Sequence, residues 1–562
     1  MIDQLGEIFG DAPALLSERE SFTYRQLAGR SNRYARWALG QGLAKGDSVC
    51  LFMPNRPEYM TIWLGITRIG GIVSLLNTNL AGPSLAHCID SVAPAHIIVA
   101  AELVDRLTTA IPAGIGRASI WIHGDGCEQF PRIDLAVGNN SGASLRTDEC
   151  PVPSLRDQAL NIYTSGTTGL PKAASVSHFR LMQWSHWFAG MMNTRPEDRL
   201  YNALPMYHSI GGVSAIGAVL VGGGSVVIRE RFSASDFWND VVRWNCTIFQ
   251  YIGELCRYLL QSGPSAHERA HHLRMCCGNG LRPDVWDRFK TRFGIPQIFE
   301  FYAATEGVVS LFNVEGKEGA IGRVPPFLSH RTPISLVKFD VEKDEPVRNA
   351  QGRCVRCAPE EVGEAIAKVN QDSLDTASRF DGYSDAEAAE QKILREVFEP
   401  GDTWFRTGDL MRRDSEGYFY FIDRIGDTFR WKGENVAASE ISETICAFPG
   451  VSDASAYGVS IPGTEGRAGM AALVAHHDLD LAALRAHLAN RLPAYARPVF
   501  LRIQKELAVT STFKHAKQDL MRCGYNPSAS EDAIYFNDPE RQAYVRLDQE
   551  LFDRIQAGRC RL

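Results

Sequence analysis

Along most of the chain, short unbroken apolar runs alternate with stretches whose apolar residues recur at helical spacing. Thr23-x-x-Gln26 ahead of Leu27 has the form of a capping box, and the helix it opens is predicted to end near Gly40 and Gly42. Val49 to Met53 then reads as a buried strand stopped by Pro54, and Glu58 to Arg68 as a helix leading into the run Gly71 to Leu76. A further helical stretch precedes His96 to Ala100. The rhythm returns with Asp236 to Trp244 before Thr247 to Ile252, and with Pro283 to Phe293 before Gln297 to Phe301. Helix and apolar strand in repeated alternation predict an α/β fold, mostly parallel sheets covered by helices.

Tyr418 to Ile422 is apolar on both faces, which predicts a buried strand. Beyond it the pattern changes. Ser439 to Ala447 is helical before Asp453 to Val459, Gly469 to Ala475 precedes the helical run Asp480 to Leu492, and Val499 to Ile503 closes the set. That order describes a small α+β domain. The expected division is a large domain over 1–424, a hinge at 425–427 and a small C-terminal domain over 428–562, in keeping with a chain of 562 residues, too long for one core.

One stretch raises a membrane question. Ser209 to Ile228 has no charged side chain and is long enough to span a bilayer, but Gly222-Gly223-Gly224 interrupts it. A buried helix, a glycine turn and a strand from Ser225 to Ile228 fit better. A net charge of −7 gives no electrostatic basis for a nucleic-acid partner. Thirteen cysteines, an odd number with no leader pattern before them, predict a reduced cytoplasmic setting and structural thiols; Cys354-x-x-Cys357 has no matching second pair.

The chemistry concentrates in a few loops. In Tyr163-Thr164-Ser165-Gly166-Thr167-Thr168-Gly169-Leu170-Pro171-Lys172, glycines allow successive N–H groups to converge, hydroxyls add donors and Lys172 adds a charge that can reach a phosphate. It is not a P-loop, because Pro171 stands where the second glycine belongs. Two more loops have the address at which open α/β sheets bind ligands, beyond the carboxyl ends of strands. Leu273 to Cys277 runs into Gly278-Asn279-Gly280-Leu281, bare backbone suited to lying flat on a purine. Gln297 to Phe301 runs into Tyr302-Ala303-Ala304-Thr305-Glu306-Gly307, with an aromatic face, a hydroxyl and a carboxylate.

The string Tyr163 to Lys172 resembles the phosphate-binding signature of the adenylate-forming enzymes: acyl-CoA synthetases, luciferases and peptide-synthetase adenylation domains. The resemblance implies ATP as co-substrate, bound by Thr164, Ser165, Gly166, Thr167, Thr168, Gly169, Lys172, Gly278, Asn279, Gly280, Tyr302 (on adenine) and Thr305. It implies Mg²⁺ held by Thr164 and Glu306, and ribose contacts from Asp409, in Thr407-Gly408-Asp409, and Arg424. In Pro205-Met206-Tyr207-His208-Ser209, Tyr207 and His208 would sit at the acyl pocket, with Gly253 as a further lining residue. In Thr510-Ser511-Thr512-Phe513-Lys514, Lys514 would bridge the acyl carboxylate and the α-phosphate, although glycine is commoner than Ser511 in the family. Gly433 would leave room for the pantetheine of coenzyme A. Gly426 departs from the Asp or Lys that many relatives carry at the hinge.

The longer strings Tyr251 to Tyr258, Gly278 to Leu281, Phe301 to Gly307, Gly426 to Val436 and Ile461 to Met470 are similar to the very-long-chain acyl-CoA synthetase and fatty-acid transport protein group. They imply a long-chain or very-long-chain fatty acid as substrate, activated to acyl-AMP and passed to coenzyme A. The runs Gly211 to Val221 and Tyr251 to Tyr258 could line an acyl tunnel or be core. A ligase for a bulkier bile- or steroid-type acid is the alternative enzyme, and a fatty-acid uptake or binding protein the alternative class. Peripheral membrane attachment, oligomeric state and acyl length stay open.

Overall fold

The computed structural model describes residues 1–111, 118–150, 152–164, 171–304, 308–325, 327, 329, 333–369, 382, 386–464, 466–475, 479–509, 515 and 517–562. Contacts gather these into two compact units, 1–332 with 369–393, and 333–368 with 394–562.

The first unit holds two sheets. A six-stranded one runs in the order Ser119–His123, His96–Ala100, Ser48–Phe52, Ile72–Leu75, Gln158–Thr164 and Lys172–Ser177, parallel throughout except for the last strand. An eight-stranded one runs Ser310–Asn313, Ile298–Ala303, Met275–Asn279, Ile248–Ile252, Arg199–Asn202, Ser225–Ile228, Pro13–Leu16 and Ser21–Thr23, antiparallel only at its two ends. The mixed α/β fold is therefore the one that the alternating pattern predicts. The capping box forms as expected: Gln26 N–H donates to Thr23 Oγ1 at 3.2 Å, Thr23 N–H to Gln26 Oε1 at 3.0 Å, and the helix runs Tyr24–Gly40. The helix Pro283–Phe293 ends on Gly294 in a left-handed conformation, the usual stop.

Ser209 to Ile228 divides into a π-helical turn Ile210–Ser214, a helix Ala215–Val221 and the strand Ser225–Ile228. Among the described residues no helix is long and apolar enough to cross a membrane. The strand expected over Leu273 to Cys277 lies later, at Met275–Asn279, so Gly278 and Asn279 are its last residues, in register with Tyr251 and Ile252. The missing side chain of Gly278 lets the Tyr251 carbonyl come close: a Cβ there would lie 2.2 Å from that oxygen.

The second unit has an antiparallel sheet of Ile334–Val337, Gly363–Lys368, Thr403–Arg413, Ile393–Arg395 and Phe419–Arg424. The last strand is not buried on both faces. It is an edge strand on Thr403–Arg413, and Phe421 is 40% exposed. After it comes a second five-stranded sheet, Val451–Val459, Ala468–Ala475, Phe500–Gln504, Ala533–Asp538 and Ala543–Arg546, with the helices Ala438–Cys446 and Leu481–Arg491. Ile503 therefore does not close this domain; two more strands and the helices Lys517–Cys523 and Gln549–Gln556 follow. The expected hinge at 425–427 falls inside the second unit, between a small cluster around Val337, Ile366 and Trp404 and a separate core that begins at Phe429.

One buried ionic network stiffens the first unit. Glu58, wholly buried near the start of the helix Pro57–Arg68, takes bonds from Arg30 and from the Tyr34 hydroxyl. Burial would raise its carboxyl, but His123, whose Nε2 lies 3.8 Å away, together with Arg30 and Tyr34 holds it below the ordinary glutamate range. Glu58→Ala leaves Arg30 and the Tyr34 hydroxyl without this acceptor and removes the partner of His123. It is expected to lower stability by about 2 kcal/mol, read from a melting curve. An unchanged melting temperature would show the network to be idle.

Candidate active site

The chain leaves the six-stranded sheet at Thr164 and returns at Lys172, and these two residues face each other across the antiparallel pair. Tyr163 fixes the exit. Its buried hydroxyl donates to the Cys88 carbonyl, so the strand end is tied to the helix Gly82–Asp90. Ser165, Gly166, Thr167, Thr168 and Gly169 lie outside the described residues, as do Thr305, Glu306 and Lys514.

The eight-stranded sheet brings together the carboxyl ends of three neighbouring strands. Ile248–Ile252 delivers Gly253, Met275–Asn279 delivers Gly280, and Ile298–Ala303 carries Tyr302, which pairs with Leu311. Gly280 has φ +75°, a left-handed conformation that favours glycine. Gly253 lies against it so closely that a Cβ would sit 1.7 Å from the Gly280 oxygen. Behind this corner is Glu300, which the sequence reading missed. Its Oε1 accepts from Leu281 N–H at 3.1 Å, and the Tyr251 hydroxyl meets Oε2. An acid inside the apolar run Ile298-Phe299-Glu300-Phe301 was the signal available for it.

Tyr207 and His208 stand on the loop after Arg199–Asn202, with rings 4.7 Å apart. Tyr207 is buried and His208 is half-buried. Two buried asparagines shape the loop. Asn55 donates to the carbonyls of Leu204 (2.9 Å) and Arg229 (3.0 Å) and accepts from Met206 N–H at 2.8 Å. Asn202 donates to the Gly211 carbonyl at 2.8 Å and accepts from Leu204 N–H at 3.2 Å. Gly212 completes the fit, since a Cβ there would meet the Met206 oxygen at 1.8 Å. Between this loop and the Tyr302 strand is a narrow, mostly apolar cavity. Ser209, Ile210, Ser214, Ala303, Ala304 and Ser310 line it beside an aromatic cluster of Trp184, Phe188, Phe301 and Phe312. Of the two runs weighed for an acyl tunnel, Gly211 to Val221 contributes Ser214; Gly253 packs on Gly280 instead.

In the second unit, Asp409 and Arg424 are register partners, with Arg424 Nε 3.6 Å from Asp409 Oδ1. Asp409 is 7% exposed, and its N–H donates to Thr407 Oγ1 at 3.0 Å, which in turn donates to the Ala365 carbonyl at 2.7 Å. Thr407 thus fixes the backbone at Asp409 while Arg424 faces its carboxylate. Gly433 (φ +82°) and Lys432 (φ +53°) form the two-residue turn of the hairpin Phe429–Trp431 and Glu434–Val436. Two positive φ values are what a tight hairpin turn requires, so the glycine has a backbone role there. Beside Arg424 in the chain, Asp423 is buried and accepts from Ser439 N–H at 3.1 Å, and burial pushes its carboxyl up.

Fold and loops together define an enzyme that joins a carboxylate to AMP. Residues 3–356 match the AMP-binding enzyme family and residues 440–514 match the AMP-binding enzyme C-terminal domain, so the chain belongs to the AMP-binding, adenylate-forming ligases. Its sequence is similar almost throughout to the long-chain fatty acid transport proteins. It is 40% identical to long-chain fatty acid transport protein 1 of Mus musculus over 96% of this chain and 83% of that one. It is 39% identical to long-chain fatty acid transport protein 6 of Homo sapiens, over 98% and 89%. Among solved structures, the anthranilate CoA ligase AuaEII in complex with anthranoyl-AMP superposes with a TM-score of 0.78 at 20% identity, covering 92% of this chain and 96% of that one. ATP-bound MatB from Rhodopseudomonas palustris does so with 0.77 at 22%, over 93% and 98%. These structures share the fold.

Proposed function

We propose that the protein makes the CoA thioester of a long-chain or very-long-chain fatty acid in two steps at one site. The observation that carries the acyl class is the 39–41% identity to long-chain fatty acid transport proteins over nearly the whole chain. In the first step a carboxylate oxygen bonds the α-phosphorus of ATP and the bond to the bridging oxygen breaks, giving acyl-AMP and pyrophosphate. Anion meets anion here, so the residues that matter supply positive charge and donors. Lys514 is assigned to the reacting oxygens, the 164–172 loop to the phosphates, the Gly278–Gly280 backbone with Tyr302 to the adenine end, and Thr305 to the nucleotide. Thr164 and Glu306 offer hard oxygen donors of the kind Mg²⁺ takes; when bound, the ion offsets the charge of the triphosphate. In the second step the sulfur of coenzyme A attacks the acyl carbon and AMP leaves, with the Gly433 turn at the thiol.

Lys514 and Gly433 act at different stages, which calls for rotation of the part beyond 425–427. The separate apolar core beginning at Phe429 supports that division. The small cavity lined by Ser209, Ile210, Ala303 and Ala304, which adjoin His208 and Tyr302 in sequence, is assigned to the start of the acyl chain, with Tyr207 and His208 steering its carboxylate. Cytoplasmic placement, with peripheral attachment to a membrane face, belongs to the same proposal.

Asp409 is assigned to the ribose diol. Asp409→Ala is expected to raise the KM for ATP by about tenfold or more while kcat falls less. An ATP saturation curve checks this, and an unchanged KM removes the assignment. The names of the relatives favour a second reading, fatty-acid uptake, which thioester formation would drive by trapping the acid. Pyrophosphate exchange across a panel of acids is the test. Exchange with oleate-sized or longer acids supports the ligase, exchange with sterol acids alone redirects the substrate, and none at all leaves a binding protein.

A further inference from the structure

Glu300 is 1% exposed, and its carboxyl joins three strands at their ends. Leu281 N–H donates to Oε1 at 3.1 Å, the Gly280 N–H also points to the carboxyl, and the Tyr251 hydroxyl bonds Oε2. Tyr251 lies two residues before Gly253, which packs on the Gly280 carbonyl, and Tyr302 lies two residues beyond Glu300. We infer that Glu300 is a positioning residue of the nucleotide site, holding the Gly278–Leu281 backbone in the form that lies along a purine. The inference rests on the proposed reading of that loop.

The surroundings decide which form of the acid serves. The groups that face it are Tyr251, which reaches it from the next strand but one, Cys277 on the adjoining strand Met275–Asn279, and Cys256 on the helix Gly253–Gln261. Among the described residues no lysine or arginine pairs with it. Burial pushes the Glu300 carboxyl up to about 8 against the pull of its donors. The un-ionised acid can donate through one oxygen to the Tyr251 oxygen and accept from the loop N–H groups through the other. Above that range a buried charge stands behind the loop with no counter-cation. The sign for stability agrees: folding favours the proton, so this group's contribution is complete below the ordinary glutamate range and is lost as pH rises through the folded value.

The test is calorimetric titration of the full chain with Mg-ATP at about pH 7 and about pH 9, either side of the folded value. Wild type, Glu300→Ala, Glu300→Gln and Tyr251→Phe are compared, with ATP saturation curves alongside. Wild type is expected to bind several-fold more weakly at the higher pH. Glu300→Ala is expected to lose about tenfold or more in affinity at neutral pH, appearing in KM more than in kcat. Glu300→Gln has the donor and acceptor of the protonated acid, so it rescues that loss and abolishes the pH dependence. If the alanine variant does not fold, the pH profile of the glutamine variant and the weakened binding of Tyr251→Phe carry the test. A lower melting temperature with ATP affinity unchanged in the folded protein would overturn the inference, as would an alkaline loss that persists in Glu300→Gln. Either result leaves the proposed function standing if wild type binds ATP and exchanges pyrophosphate. A wild type that binds no ATP overturns both.

Discussion

Replacing Lys514 by alanine is expected to slow acyl-AMP formation by about 10²–10³-fold, the size of effect seen when one charge-stabilising donor is removed from a transition state. The lysine is assigned to the carboxylate and α-phosphate oxygens, where negative charge collects as the new bond forms. Thioester formation from acyl-AMP added directly should proceed at close to the normal rate, because that step needs the lysine out of the way. The two half-reactions must be measured separately, the first by pyrophosphate exchange and the second by acyl-CoA made from supplied adenylate. Equal loss in both would mean that the lysine supports the fold or the nucleotide in general, and that the two-stage division is mistaken.

The second large effect is expected at Gly253→Ala. The new methyl carbon would stand 1.7 Å from the Gly280 carbonyl oxygen, which is backbone and cannot swing aside. Either the helix Gly253–Gln261 or the Gly278–Leu281 segment has to shift. Overpacking of this kind costs about 3 kcal/mol. Because the segment that moves is the one assigned to the purine, ATP binding should fall together with the melting temperature. A variant that melts normally and binds ATP normally would show that the close approach of the two glycines is dispensable.

Most of the first unit was legible because its strands are short apolar runs bounded by glycine or proline, and its helices carry their own signals. Thr23 with Gln26 opens one, Pro283 opens another, and both form where expected. The strand at Phe419–Arg424 was misread, since an apolar run on both faces implies burial, whereas Phe421 is exposed on an edge strand. The last strands of the C-terminal domain were missed because Ala533–Asp538 and Ala543–Arg546 are short and mix polar with apolar residues. In the site, residues within one string, such as Tyr207 and His208, could be picked out directly. Residues whose role depends on register could not. Glu300 and Asn55 reach groups supplied by distant parts of the chain, and nothing in their neighbours announces those partners. Gly433 was read for the space it leaves, while the paired positive φ of Lys432 and Gly433 gives it a second reason to be there.

Asn55 lies just past the end of Ser48–Phe52 in one sheet of the first unit, yet its amide serves Leu204, Met206 and Arg229, which follow strands of the other. The segment that carries Tyr207 and His208 is therefore clamped to both sheets at once. Gentle heating cannot loosen either sheet without also disturbing the segment to which the acid is assigned. Failure to handle the acid should come early in thermal inactivation, ahead of any change that a probe in the C-terminal core would detect.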